Sequence, residues 1–227
     1  MTPKALLFDV FGTCVDWRTS IAREAAALGL PGEAVADAWR GRYQPQLETV
    51  RSGAREWVVL DVLHREALDD VLDELGVELE EGERDELTLA WHRLDPWPDT
   101  VEGLTRLKQR FVIAPCSNGH IAQSVNLARH AWLPWDAILG AEIARAYKPD
   151  PRVYAASVAA LGLEPSEAMM VAAHNGDLHA AAACGLQTAF VARPREHGPG
   201  QATDLHAEGA VDFEAADFLA LADVLVV

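Results

Sequence analysis

Lys4-Ala5-Leu6-Leu7-Phe8-Asp9-Val10-Phe11-Gly12-Thr13 is an apolar run that ends on a carboxylate and is cut off by a Gly-Thr turn. Residues 4–10 lack the polar–apolar alternation of a half-exposed strand, so they read as a buried parallel strand covered on both faces. In open parallel sheets, ligands bind beyond the carboxyl ends of the strands. That rule singles out Asp9, and it directs attention to the polar residue that follows every later strand.

The next strand signal is distant. Residues 17–95 carry apolar residues at helical spacing, as in Leu60, Leu63, Ala67, Val71 and Leu75, with acids between them and a break at Gly76. The run Glu78-Leu79-Glu80-Glu81-Gly82-Glu83 reads as a solvated face. Pro96-Trp97-Pro98 then punctuates the chain. After it, helix and strand patterns alternate: a helix over 100–109, a strand over 110–116, a helix from Ile121 and a short strand over 137–140. A helix follows that opens at Asp150-Pro151 and stops at Gly162, then a strand over 168–173 and a helix near 178–184. A strand over 187–192 and a closing helix over 214–225 complete the chain. This βαβ series predicts an α/β fold with a Rossmann-like parallel sheet. Residues 1–15 and 97–227 form its core, and 16–96 form a helical cap inserted after the first strand.

Composition bounds the function. The chain has 227 residues, 50% hydrophobic and 24% charged, enough to bury a large core. Its formal net charge of −16 repels nucleic acid and anionic membrane, so neither is expected as a partner. No apolar run approaches the roughly 20 residues of a membrane span, and the start does not read as a signal peptide. Cys14, Cys116 and Cys184 are too few and too far apart for a disulfide framework or a zinc site. A cytoplasmic location is expected. The seven tryptophans read as core and cap packing.

The stations after the strands are Asp9, Ser117-Asn118, Lys148, and His174-Asn175-Gly176-Asp177. Each residue type has a chemistry. A carboxylate can attack carbon or phosphorus and form a covalent intermediate. A lysine can neutralise and hold that carboxylate. Hydroxyls at Thr13 and Ser117 can donate, and a second carboxylate can deprotonate water.

In order and type these stations resemble the four motifs of the haloacid dehalogenase superfamily, and the likeness spans the whole chain, cap included. In the phosphatase branch of that superfamily a second Asp follows the nucleophile by two residues and protonates the leaving oxygen. Here that position is Phe11, which protonates nothing, and a halide leaving group needs no proton. The pattern Phe8-Asp9-Val10-Phe11-Gly12-Thr13 with Asp16-Trp17-Arg18, the Trp39-Arg40 pair in the cap, and Tyr154 six residues after Lys148 are similar to the type II 2-haloacid dehalogenase subgroup. That resemblance implies hydrolysis of small 2-haloalkanoic acids to 2-hydroxy acids through an aspartyl ester on Asp9. It assigns Lys148, Asp177 and His174 to catalysis. It gives Thr13, Phe11, Arg40, Ser117, Asn118, Tyr154 and Asn175 to substrate or halide binding.

The resemblance implies no cofactor and no metal, prefers an (S)-substrate, and allows a homodimer. One departure stands out: the subgroup's Ser-Ser-Asn-x-x-Asp is Ala172-Ala173-His174-Asn175-Gly176-Asp177 here, so His174 is expected to orient water or share a proton with Asp177. The competing readings are a ring-opening hydrolase or a phosphatase on the same scaffold, and a non-catalytic scaffold protein. Retention of Asp9, Ser117, Lys148 and Asp177 together argues against the last.

Overall fold

A computed structural model describes residues 2–226. Strand β1 (Ala5–Phe8) is followed by β2 (Val15–Asp16) and by four helices: α1 (Trp17–Ala27), α2 (Gly32–Arg51), α3 (Leu60–Leu75) and α4 (Glu81–Thr88). A 3-10 turn at Leu89–His92 leads to β3 (Asp95–Pro96). The chain then runs through α5 (Thr100–Leu107), β4 (Val112–Ser117), α6 (Ile121–His130), β5 (Leu139–Gly140), α7 (Ala141–Ala144) and α8 (Pro151–Ala160). It ends with β6 (Ala168–Ala172), α9 (Asn175–Ala183), β7 (Gln187–Val191), β8 (Phe213–Ala215) and α10 (Phe218–Leu225).

Six strands form one sheet in the order β5-β4-β1-β6-β7-β8, and every pairing in it is parallel. The first strand is therefore central, with Leu7 level with Ala114 of β4 on one side and Met170 of β6 on the other. Successive side chains of a strand point to opposite faces, and here both faces are dry. Leu6, Phe8, Ile113, Met169 and Val171 pack toward Leu104, Leu107, Phe218 and Leu221 of α5 and α10. Leu7, Ala114, Met170 and Phe190 pack toward Val153, Tyr154, Val158 and Leu178 of α8 and α9. This double burial is why the strands read as unbroken apolar runs.

Helices α1 to α4 lie between β1 and β4 in sequence. Asp16 caps α1 by accepting from the Thr19 N–H at 3.0 Å. Gly76 ends α3 in the left-handed conformation at φ 64°, which glycine adopts without strain. Trp17, Trp39 and Trp91 are fully buried, with Trp39 and Trp91 edge-to-face at 5.5 Å. The expectation of buried tryptophans does not extend to Trp132, which is 79% exposed.

Three elements depart from the sequence reading. Residues 213–215 are the sixth strand rather than the start of the closing helix, because they pair with Ala189, Phe190 and Val191. Helix α9 begins at Asn175, earlier than expected, so the loop after β6 carries its polar residues into a helix start. A two-residue antiparallel ladder, Val15 with Pro96 and Asp16 with Asp95, clamps the two ends of the helical segment together. No helix among the described residues is long and apolar enough to cross a membrane.

Candidate active site

Asp9 follows β1 directly, and its N–H donates to the Val171 carbonyl at 3.0 Å, so the sheet ladder fixes the direction of its side chain. Oδ1 accepts from Lys148 Nζ at 2.9 Å. Oδ2 accepts from Thr13 Oγ1 at 2.7 Å and lies 3.0 Å from His174 Nδ1. Two chains of charge leave from there. Through Lys148 Nζ, 2.5 Å from Asp177 Oδ2, the first reaches Asp177, whose Oδ1 accepts from the Tyr154 hydroxyl at 2.5 Å. Through His174 Nε2, the second reaches Glu196 Oε2 at 2.9 Å, and Glu196 Oε1 accepts from the Trp17 indole at 2.9 Å.

These partners pull the two carboxylates of the first chain apart. Burial pushes Asp9 up, but Lys148 and then His174 and Thr13 outweigh it and hold its carboxyl well below the usual range. Burial and the charge of Asp9 push Asp177 above its ordinary value, although Lys148 opposes them. Asp9 draws on three donors and Asp177 on two. One carboxylate is thus fixed as an anion while its neighbour takes up a proton more readily. Such a split separates nucleophile from base. Burial opposes charge on Lys148, yet Asp177 and Asp9 hold its ammonium well above the ordinary lysine value. Burial likewise opposes charge on His174, and Glu196 and Asp9 more than offset it.

The carboxylate faces a cleft of about 600 Å³ whose wall includes Phe11, Arg40, Tyr43, Asn118, Lys148, His174 and Asp177. Arg40 comes from α2, with its guanidinium 4.2 Å from the Tyr43 ring centre and 5.2 Å from that of Trp17. Its Nη2 is 3.8 Å from Glu196 Oε1, and its Nη1 is buried without a hydrogen-bond partner among the described residues. A buried cationic donor with no acceptor is costly, and it is what a site for a small anion offers. Phe11 packs edge-on to Trp91 at 5.8 Å and closes one side with an apolar surface.

Other residues expected to touch substrate are buried around the charged chains. Thr13 is fully buried, donating to Asp9 and accepting from the Ala173 N–H at 3.0 Å. Tyr154 is fully buried behind Asp177. Ser117 Oγ accepts from the Gly119 N–H at 3.2 Å and shapes the loop. Asn118 joins that loop to the cleft, accepting from the Lys148 N–H at 2.7 Å and donating to Tyr43 at 3.1 Å. The Asn175 side chain is occupied by Asp204, the His206 carbonyl and the Glu208 N–H, so it pins the 204–208 loop. His174 is bonded to Asp9 and Glu196 rather than to Asp177, a different placement from the expected water-orienting pair.

Glu196 was not singled out from the sequence. It lies five residues past the end of β7, so the rule of inspecting polar residues beyond strand ends reaches it. Gly12 makes room for it: with φ 86°, a Cβ there would sit 2.1 Å from Glu196 Oε1. Tyr43, one turn beyond Arg40 on α2, was missed in the same way.

The charge chain Glu196–His174–Asp9 gives a pH prediction. His174 is raised, so the stabilisation it carries is fully present below its ordinary 6.5 and is lost only as pH rises through the higher folded value. Burial pushes Glu196 up, but His174 outweighs it and holds Glu196 below its ordinary 4.5. Glu196 and Asp9 therefore contribute above the carboxylate range and lose that contribution as pH falls through their depressed values. The chain is intact between about pH 4.5 and a point well above 6.5. Glu196→Gln keeps the shape and removes the charge. Its turnover should fall roughly ten-fold, with the alkaline limb of kcat/KM moving down by about one pH unit. An unmoved limb would show that Glu196 only packs.

The sequence model of the family described as haloacid dehalogenase-like hydrolase matches residues 3–185. Among curated relatives, (S)-2-haloacid dehalogenase 4A of Burkholderia cepacia is 31% identical over 193 residues, covering 84% of this chain and 83% of that protein. Among solved structures, the defluorinating L-2-haloacid dehalogenase Rha0230 superposes with a TM-score of 0.96 at 51% identity, covering 99% of this chain and 96% of the other. The L-2-haloacid dehalogenase from Xanthobacter autotrophicus, solved with chloropropionic acid covalently bound, gives 0.85 at 25% identity, covering 99% and 98%.

Proposed function

The chain belongs to the haloacid dehalogenase-like hydrolases, and on that footing we propose that it hydrolyses small 2-haloalkanoic acids to 2-hydroxy acids, with (S)-substrates preferred. One observation carries this reading. The ionised Asp9 carboxylate faces the cleft beside an unpartnered Arg40 donor, while the position that would have to protonate an oxygen leaving group is Phe11.

Reaction begins when Asp9 attacks Cα of the haloacid from the side opposite the halogen. The C–halogen bond breaks with its electron pair, and halide departs with no proton needed. Arg40 and Asn118 take up the negative charge that develops there. The product of this step is an ester between Asp9 and the substrate's Cα. Asp177 then removes a proton from water, and the hydroxide attacks the Asp9 carbonyl carbon. Lys148 stabilises the oxyanion, and the intermediate collapses as the proton taken up by Asp177 passes to the departing alkoxide, giving the 2-hydroxy acid and free Asp9 and Asp177 carboxylates. Tyr154 holds Asp177 in place, Thr13 and His174 hold Asp9, and Glu196 keeps His174 charged. Residues 16–96 act as the cap that brings Arg40 and Tyr43 to the cleft. The carboxylate's oxygens are served by an ammonium, an imidazolium and a hydroxyl, so the chemistry is assigned to these groups without a metal ion.

The test is halide release from chloroacetate, fluoroacetate and (S)-2-chloropropionate with EDTA present. The reading requires release that EDTA leaves unchanged; no release from any of the three would sink it. Arg40→Lys keeps the charge but loses the planar fork. It should raise KM and lower kcat, for a combined loss in kcat/KM of about 10²-fold, or close to 3 kcal/mol at 1.36 kcal/mol per decade.

A further inference from the structure

Outside the residues that line the cleft, three titratable groups from separate elements meet. Asp61 stands in the first turn of α3, His92 ends the 3-10 turn before β3, and His120 caps the start of α6. His92 Nε2 lies 3.0 Å from both oxygens of Asp61, and His120 Nε2 lies 3.4 Å from Asp61 Oδ2. One ligand atom from each of the three lies within 4.8 Å of the other two. We propose that Asp61, His92 and His120 form a binding site for a divalent transition-metal ion of the zinc class, which clips the helical insert to the sheet unit.

The geometry supports this on three counts. Zinc bound at ~2.0–2.1 Å in a tetrahedron has ligands separated by roughly 3.3 Å, close to the 3.0 and 3.4 Å edges here. Both imidazoles are over nine-tenths buried, so neither ring can satisfy its nitrogens with bulk water. His92 Nδ1 lies 3.0 Å from Asn126 Nδ2, and a turn of that amide presents its oxygen to the Nδ1–H that a ligating imidazole donates. The Asp61 side chain is 26% exposed, which leaves a way in for an ion. Two imidazoles and one carboxylate select zinc-like ions over calcium or magnesium, and three protein ligands leave a fourth position for water. None of its three ligands lines the cleft that Asp9 faces, so the ion takes no part in that chemistry. It joins α3 of the insert to the start of α6, two residues beyond Asn118.

Chelator-treated full-length protein should be dialysed against Zn²⁺, with bound metal counted and Co²⁺ substituted as a spectroscopic probe. The expected result is one ion per chain and the strong visible bands of four-coordinate cobalt, with a thermal midpoint raised by roughly 5 °C at saturating Zn²⁺. His92→Gln and His120→Gln should each weaken binding at least ~100-fold, and Asp9→Asn should leave it unchanged. Asp61→Asn, at the most exposed of the three positions, serves if either histidine variant fails to fold. Less than a fifth of an ion bound per chain, binding retained in both histidine variants, or binding lost in Asp9→Asn instead would overturn the proposal.

Discussion

Asp9→Asn should abolish halide release, with a loss in kcat of at least ~10⁴-fold, while the protein remains folded. An amide of the same shape keeps contact with Thr13, but it is a far poorer nucleophile toward carbon. It also leaves Lys148 and His174 facing a neutral group. At 1.36 kcal/mol per decade, four decades correspond to more than 5 kcal/mol of transition-state stabilisation, more than any single positioning contact in the cleft supplies. The measurement is halide release from chloroacetate beside a circular-dichroism melt. A folded variant with residual turnover above a hundredth of wild type would mean that another group attacks carbon.

Lys148→Met is the second large effect, and it should act on both activity and stability. One ammonium serves Asp9 and Asp177 together, at 2.9 and 2.5 Å, in a place only 7% exposed. Removing one partner of a buried ion pair typically costs about 3–5 kcal/mol, because the remaining charge stays desolvated. Here two carboxylates are left facing each other. Without Lys148 the Asp9 carboxyl loses the largest of the interactions that hold it down, so its ionisation should become visible in the rate. The variant should lose about 10³-fold in kcat/KM at neutral pH and recover part of that as pH rises. Wild type, whose Asp9 stays ionised throughout, should show no such acid limb near neutrality. A variant whose pH profile parallels wild type would show that Lys148 does not set the state of Asp9.

The sheet was legible because double burial leaves a plain mark. The central strands are uninterrupted apolar runs, and each leads within two residues to one that carries chemistry: Asp9 after β1, Asn118 after β4, His174 after β6. Edge strand β8 escaped because three residues, Phe213-Glu214-Ala215, carry too little pattern to stand out beside the helix signal that follows. In the site, sequence pointed to the right neighbourhood but not to which side of the carboxylates a residue would take. Thr13 and Tyr154 lie close in sequence to the expected stations and Asn175 lies within one, yet tertiary packing turns them to hold Asp9, Asp177 and the 204–208 loop. Glu196 was hidden because its partner His174 is distant in sequence and neither residue alone implies the other. The Asp61–His92–His120 cluster has no motif spacing at all; only the fold assembles it.

Whether Asp9 bonds covalently to the substrate is read from a single turnover in ¹⁸O-enriched water. With enzyme in excess over (S)-2-chloropropionate, the hydroxyl oxygen of the product should be ¹⁶O, drawn from Asp9, and ¹⁸O should appear in the Asp9 carboxylate by peptide mass analysis. Product that carries ¹⁸O from the first turnover, with Asp9 unlabelled, would mean that water attacks the substrate directly and would contradict the account.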